Sequence, residues 1–208
     1  MTVKSMKTSV LPGLVFPLRS TAARLLRDDR GNSAVEFAVV LPVMLVMFFG
    51  TIELSSAVAL KRKISVMTQA VGDLTSRYTN VNDTDMTNFG KIADAMMTPY
   101  SATPLKSTVT EIYIDPSTGV ARAQWSKGDN PRGTGSTVPV PANLIARDAS
   151  NKIVAGQYLI FSEASYIYTP IVGYVMKTAV TLSDQTYMRP RLSQCVLYNA
   201  TSGSCPTS

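Results

Sequence analysis

No histidine occurs in the 208 residues. Its absence removes Ser-His-Asp triads, Cys-His pairs and the commonest zinc ligand sets. Cysteine is nearly as scarce. The two present, Cys195 and Cys205, lie near the C-terminus without a metal-binding spacing. They flank a short polar loop containing Gly and Ser, which suits either one disulfide in an oxidising compartment or two free thiols. Charged residues are only 16% of the chain. The acids at Asp85, Asp94, Glu111, Asp115, Asp129, Asp148, Glu163 and Asp184 form no recognisable pair. The GTGS run at 133 to 136 lacks the lysine and helix of a phosphate-binding loop. No catalytic residue, metal site or cofactor is therefore expected, and the chain does not read as an enzyme. No internal repeat is apparent, and the length suits one folded domain plus accessory segments.

The positive charge is unevenly spread. The formal net charge is +6. Residues 1 to 31 hold Lys4, Lys7, Arg19, Arg24, Arg27 and Arg30 against Asp28 and Asp29, a net +4, leaving +2 for the rest. A nucleic-acid binder would carry its basic face on the folded part, so no nucleic-acid partner is expected. A basic N-terminal arm suits retention on the cytoplasmic side of a membrane.

What is present is a long apolar run. Residues 37 to 52 hold no charged side chain, and from 34 to 60 only Glu36 and Glu53 interrupt. A spanning helix needs about 20 mostly apolar residues, so a single transmembrane helix is expected over 32–60. The arginines before it mildly outweigh Lys61, Arg62 and Lys63 after it. That places the N-terminus in the cytoplasm and the C-terminal part outside, where a disulfide could form. The run is too long for a secretory signal, and no A-x-A-like cleavage site follows it. The patch VLPGLVFPL at 10 to 18 is short, and its two prolines make it a poor spanning helix.

Glu36 has two readings. Ser33 and Glu36 form an S-x-x-E capping box ahead of the apolar run, with the carboxylate at the positive end of the helix dipole. Alternatively, a cut after Gly31 leaves an α-ammonium on Asn32, and Glu36 becomes the fifth residue. The ammonium of a neighbouring copy could then pair with this carboxylate and set the register of helix packing. Such a contact is worth roughly 4 kcal/mol at 4 Å before desolvation.

These residues resemble a known family. A basic leader, G-N-S-A-V-E-F and an apolar helix look like a type IV prepilin processing site. The run G-x-x-A-V-E-F-A-x-V-L-P-x-x-x-x-x-x-x-G-x-x-E from Gly31 to Glu53 is similar to the TadE-like family, minor pilins or pseudopilins of the Tad (tight adherence, Flp) pilus. Tyr166-Ile-Tyr-Thr-Pro170 and Tyr187-Met-Arg-Pro-Arg191 form a second, shorter likeness. The resemblance implies a prepilin-type leader over 1–31, cleavage between Gly31 and Asn32 by a prepilin peptidase, and recognition through Glu36 and Phe37. It implies other pilin or pseudopilin subunits and inner-membrane Tad assembly proteins as partners, in the bacterial inner membrane or a surface pilus. The alternative is an unprocessed, single-pass, membrane-anchored binding domain, whose tyrosines at 158, 166, 168, 174 and 187 could line a groove or simply face the sheet.

Three further features lie in or beside the run. Pro42 removes a backbone donor, and either kinks the helix or is tolerated in it. Glu53 is an intramembrane candidate, either meeting a partner or reaching to water at the outer interface. Lys61, Arg62 and Lys63 read as a solvated or lipid-phosphate-facing cluster.

Beyond the run, Leu60, Ile64, Met67, Val71, Leu74 and Tyr78 recur at helical spacing. They predict an amphipathic extension over 61–80, within a helix continuous from about Ser33 to Tyr78. An extracytoplasmic domain over 81–208 follows. Asp85 is expected to cap a second helix with Phe89, Ile92, Ala93, Met96 and Met97 as its apolar face. A hairpin turns at Asp115 to Gly119, 127 to 137 reads as a mobile loop, and strands are expected near 157–169 and 178–189. The fold class is α+β: a long membrane-spanning helix continuing into a small antiparallel-sheet, pilin-like domain.

Overall fold

A computed structural model describes residues 32–170, 178–200 and 203–207. The leader, Gly31 and Tyr174 lie outside the described residues. The chain divides into two compact units, Met1–Met47 and Phe48–Ser208.

Helix α1, Asn32–Ser76, continues through Pro42 as one 45-residue helix.

The second unit is built from the C-terminal part of α1, helix α2 (Asp83–Met97) and two sheets. The main sheet has strands β2 (Leu105–Ile114), β3 (Ala121–Gly128), β4 (Gln157–Tyr168) and β5 (Val180–Met188) in the order β3-β2-β4-β5, all antiparallel. A small parallel pair joins β1 (Asn80–Val81) to β6 (Leu197–Tyr198) and ties the tail to the loop after α1.

The apolar stripe of α1 packs as its spacing predicts. Leu60, Ile64, Met67 and Val71 are buried with Phe89, Ala93 and Met97 of α2 against Val109, Trp125, Ile160, Ala164 and Tyr166 of the sheet. Leu74 is only partly buried, and Tyr78 rests edge-on against Phe89. Gly72 marks the closest approach, where an added Cβ would lie 3.3 Å from the Ser162 Cβ and 3.4 Å from the Thr186 Cγ2.

The opposite sheet face is half covered. Val138, Val140, Leu144, Ile145 and Ile153 pack on Ile112, Ile114, Leu159 and Phe161. With cover on both faces, β2 is buried continuously from Thr108 to Ile114 rather than alternately.

Two local expectations are corrected. Asn82, not Asp85, caps α2. The Asn82 side chain accepts from the Asp85 N–H at 2.9 Å, and the Asp85 carboxylate accepts from the Asn82 N–H at 3.0 Å. Asp85 is thus the acidic half of a capping box. The segment 127 to 137 is not a loose loop. Gly135 N–H donates to Ala123, Ala123 N–H to Ser136 and Val138 N–H to Ala121, so its end returns along β3.

Candidate functional site: the apolar helix and its exit

From Phe37 to Met47 the described start of α1 is apolar on all sides and exposed. Phe37 is 60% exposed and Val39 69%, and Val43, Val46 and Met47 are similarly bare. A helix hydrophobic all round belongs in lipid or among other helices. Ser33–Ser76 is long and apolar enough to cross a membrane, and none of its most apolar window is buried. Glu36 is exposed within this surface, one turn after Asn32 and beside Phe37.

Glu53 sits differently. It is only 1% exposed, while its neighbours Ile52 and Leu54 are 43% and 63% exposed. The carboxylate therefore does not reach to water. Its side of α1 turns toward Tyr168 at the end of β4. Burial chiefly, and then the charges of Glu53 and Tyr100, push the Tyr168 hydroxyl above its ordinary value.

The basic cluster after the run is also engaged by protein. Lys61 Nζ donates to the Ser183 carbonyl at 2.6 Å and the Asp184 carboxylate at 2.9 Å. Lys63 donates to the Thr98 carbonyl and lies over the Tyr100 ring. Both lysines dock α1 on its own domain rather than standing free for lipid phosphates.

The tyrosines brace the fold instead of lining a groove. Tyr158, Tyr166 and Tyr168 are buried. The Tyr158 hydroxyl donates to the Pro206 carbonyl at 2.7 Å, and the Tyr187 hydroxyl to Pro139 at 2.6 Å. Tyr187 stacks on Phe161.

An open polar cleft of about 680 Å³ lies on the uncovered half of the sheet. Lys106, Ser165, Ser183 and Gln185 line it, and the Arg132–Glu163 ion pair forms one wall. It holds no nucleophile–base pair. Among the described residues no group of His, Cys, Asp or Glu could hold a metal.

Sequence reasoning left Glu111 as one unpaired acid among several. It is fully buried on β2 opposite Trp125 and Ile160, and its Oε1 accepts from the Val196 N–H. Burial pushes its carboxyl up to about 7, against the hydrogen bonds of Val196 and Trp125. Next to Val196, Cys195 and Cys205 are joined in a disulfide.

These features define a class: an α+β protein in which one candidate membrane helix among the described residues leads into a small antiparallel sheet. Residues 31–71 match the family model described as TadE-like protein. The resemblance carried by Gly31 to Glu53 is thereby supported over the helix, and it indicates a protein associated with the Tad pilus. No curated protein and no solved structure matches the chain.

Proposed function

We propose that this protein is a minor pseudopilin that takes part in assembling the Tad/Flp pilus. A prepilin peptidase cuts the Gly31–Asn32 bond, and the mature chain joins other pilin or pseudopilin subunits and inner-membrane Tad assembly proteins through α1. The N-terminus starts in the cytoplasm, and the sheet domain lies outside.

One observation carries the reading. Glu36 is the charged residue in an otherwise apolar, exposed stretch of helix, one turn past the Gly31–Asn32 bond, where the sequence resembles a prepilin processing site. A carboxylate there suits the ammonium that cleavage creates, because each charge offsets the other's loss of water. Glu36 and Phe37 are the recognition pair, and a bend at Pro42 adjusts the packing of neighbouring helices. The disulfide supports an oxidising compartment for the C-terminal domain.

The test is mass spectrometry of the mature N-terminus in strains with and without the prepilin peptidase. Expected is a chain beginning at Asn32 only where the peptidase is present. Glu36→Ala should insert normally yet abolish piliation. Retention of residues 1 to 31 in both strains overturns the proposal in favour of an unprocessed anchored domain, and normal piliation with Glu36→Ala removes the pairing role.

A further inference from the structure

Strand β5 lies along α1 in the same direction. Asp184 meets Lys61, Thr186 and Met188 meet Gly72, and the Arg191 N–H donates to the Ser76 carbonyl at 2.8 Å. The start of β5 can therefore be placed on the helix. Val180 precedes Asp184 by four residues, or about 13 Å of strand, which corresponds to about nine residues of helix before Lys61. That level is Ile52 and Glu53. Tyr168, the register partner of Val180, independently lies within electrostatic range of Glu53.

This end of the sheet carries little charge. Across 48 to 60 of α1 and the described residues 164 to 170 and 178 to 183 of β4 and β5, the one charged side chain is Glu53; Lys106 on β2, the partner of Ser165, stands at its edge, and Lys177 lies outside the described residues. It is buried, while Ile52, Leu54, Ile167 and Val180 are between 39% and 63% exposed. Ile167 and Val180 occupy opposite faces of the sheet, because Ile167 pairs with Thr181 and Val180 with Tyr168. The apolar surface is thus the tip of the sheet and not one of its faces. Scattered exposed apolar residues need no explanation. An apolar tip level with the last residues of an uncharged helical run does.

We infer that the β4–β5 end of the sheet, presenting Ile167 and Val180 beside Ile52 and Leu54, is a membrane-surface seat that rests in the lipid interface where α1 leaves the bilayer. The inference depends on the reading of α1 as a membrane span. The occupant is lipid because the tip continues the apolar surface of the helix at the same level. Apolar side chains flanked by Ser55, Thr169 and Thr181 suit the boundary between acyl chains and headgroups. The seat also accounts for Glu53. The domain reaches down far enough to enclose that carboxylate, which removes the cost of leaving it in hydrocarbon.

The test uses full-length protein in phosphatidylethanolamine–phosphatidylglycerol vesicles, with plain or brominated acyl chains. Tryptophan is introduced as Ile167→Trp or Val180→Trp. Leu45→Trp reports on the span, and Val154→Trp lies toward the other end of β4. The parent protein supplies the Trp125 background. Bromination should quench emission at 167 and 180, as expected for side chains at the acyl boundary, quench it more strongly at 45 and leave 154 unchanged. Quenching at 45 without quenching at 167 and 180 overturns the seat and leaves the span intact. No quenching at 45 overturns the span and the seat with it. Emission at 167 and 180 that ignores bromination but follows the protein-to-lipid ratio identifies a second copy of the chain as the occupant, and also overturns the seat.

Discussion

Glu111 ties three parts of the molecule together at the cost of its own solvation. It sits on the helix-covered side of β2 with Val109 and Tyr113, and holds the Val196 N–H of the C-terminal tail. The Trp125 indole N–H donates to the Val196 carbonyl at 2.7 Å, so both backbone groups of Val196 are fixed from the sheet. The carboxyl is raised from an ordinary 4.5 to about 7. A raised carboxyl favours the folded state below its ordinary value, and that contribution is lost as pH rises through the folded value. Stability of the second unit should therefore fall between pH 4.5 and about 7, then level off. No histidine titrates in the same window. Glu111→Gln keeps an acceptor for Val196 and removes the charge, so it should flatten this dependence and be the more stable form above pH 7. Urea unfolding across the pH range measures both effects. In the sequence Glu111 is one of many scattered acids. Only the pairing of β2 with β3 and β4 puts it inside.

At the scale of elements, Gly72 sets how closely α1 approaches the sheet. A side chain there meets Ser162, Thr186 and Met188 at once. Gly72→Leu should overpack this contact and destabilise the second unit by about 1–3 kcal/mol, read as a lower denaturation midpoint with no change in membrane insertion. The helical stripe from Leu60 to Val71 was legible because its period of three and four survives any tertiary arrangement. The strands near 157–169 and 178–189 were legible for a similar reason, their Tyr, Ile, Val and Thr content. Less local features were not. Asn82 and Asp85 share the cap of α2, a reciprocity that appears only once the turn is formed. The segment 127 to 137 reads as loose from its glycines, yet Ser136 and Val138 find partners on β3. The engagement of Lys61 by Asp184 joins residues more than a hundred positions apart, and no local pattern signals it.

Over the whole molecule, the C-terminal tail is held by chemistry and by strand pairing together. The Cys195–Cys205 bridge closes a loop with a sequence separation of 10. Leu197 and Tyr198 pair with Asn80 and Val81, and Tyr198 contacts Trp125 and Lys127. Replacing both cysteines by serine should cost about 2–4 kcal/mol. It should loosen the tail first, seen as faster amide exchange at Val196 and Leu197 than in the main sheet.

The sequence by itself determined the apolar span, the Glu36-bearing motif after Gly31, the amphipathic continuation of the helix and the α+β class. These properties depend on composition and on spacing along one segment, and hydrophobicity acts on them locally. The tertiary structure alone decided that Glu53 and Glu111 are buried, that Lys61 and Lys63 are spent on internal contacts, that the cysteines are joined and that Tyr168, at the end of β4, lies near Glu53 of α1. Each of these depends on which distant residues become neighbours. That is set by strand register and helix docking, where many weak contacts act together.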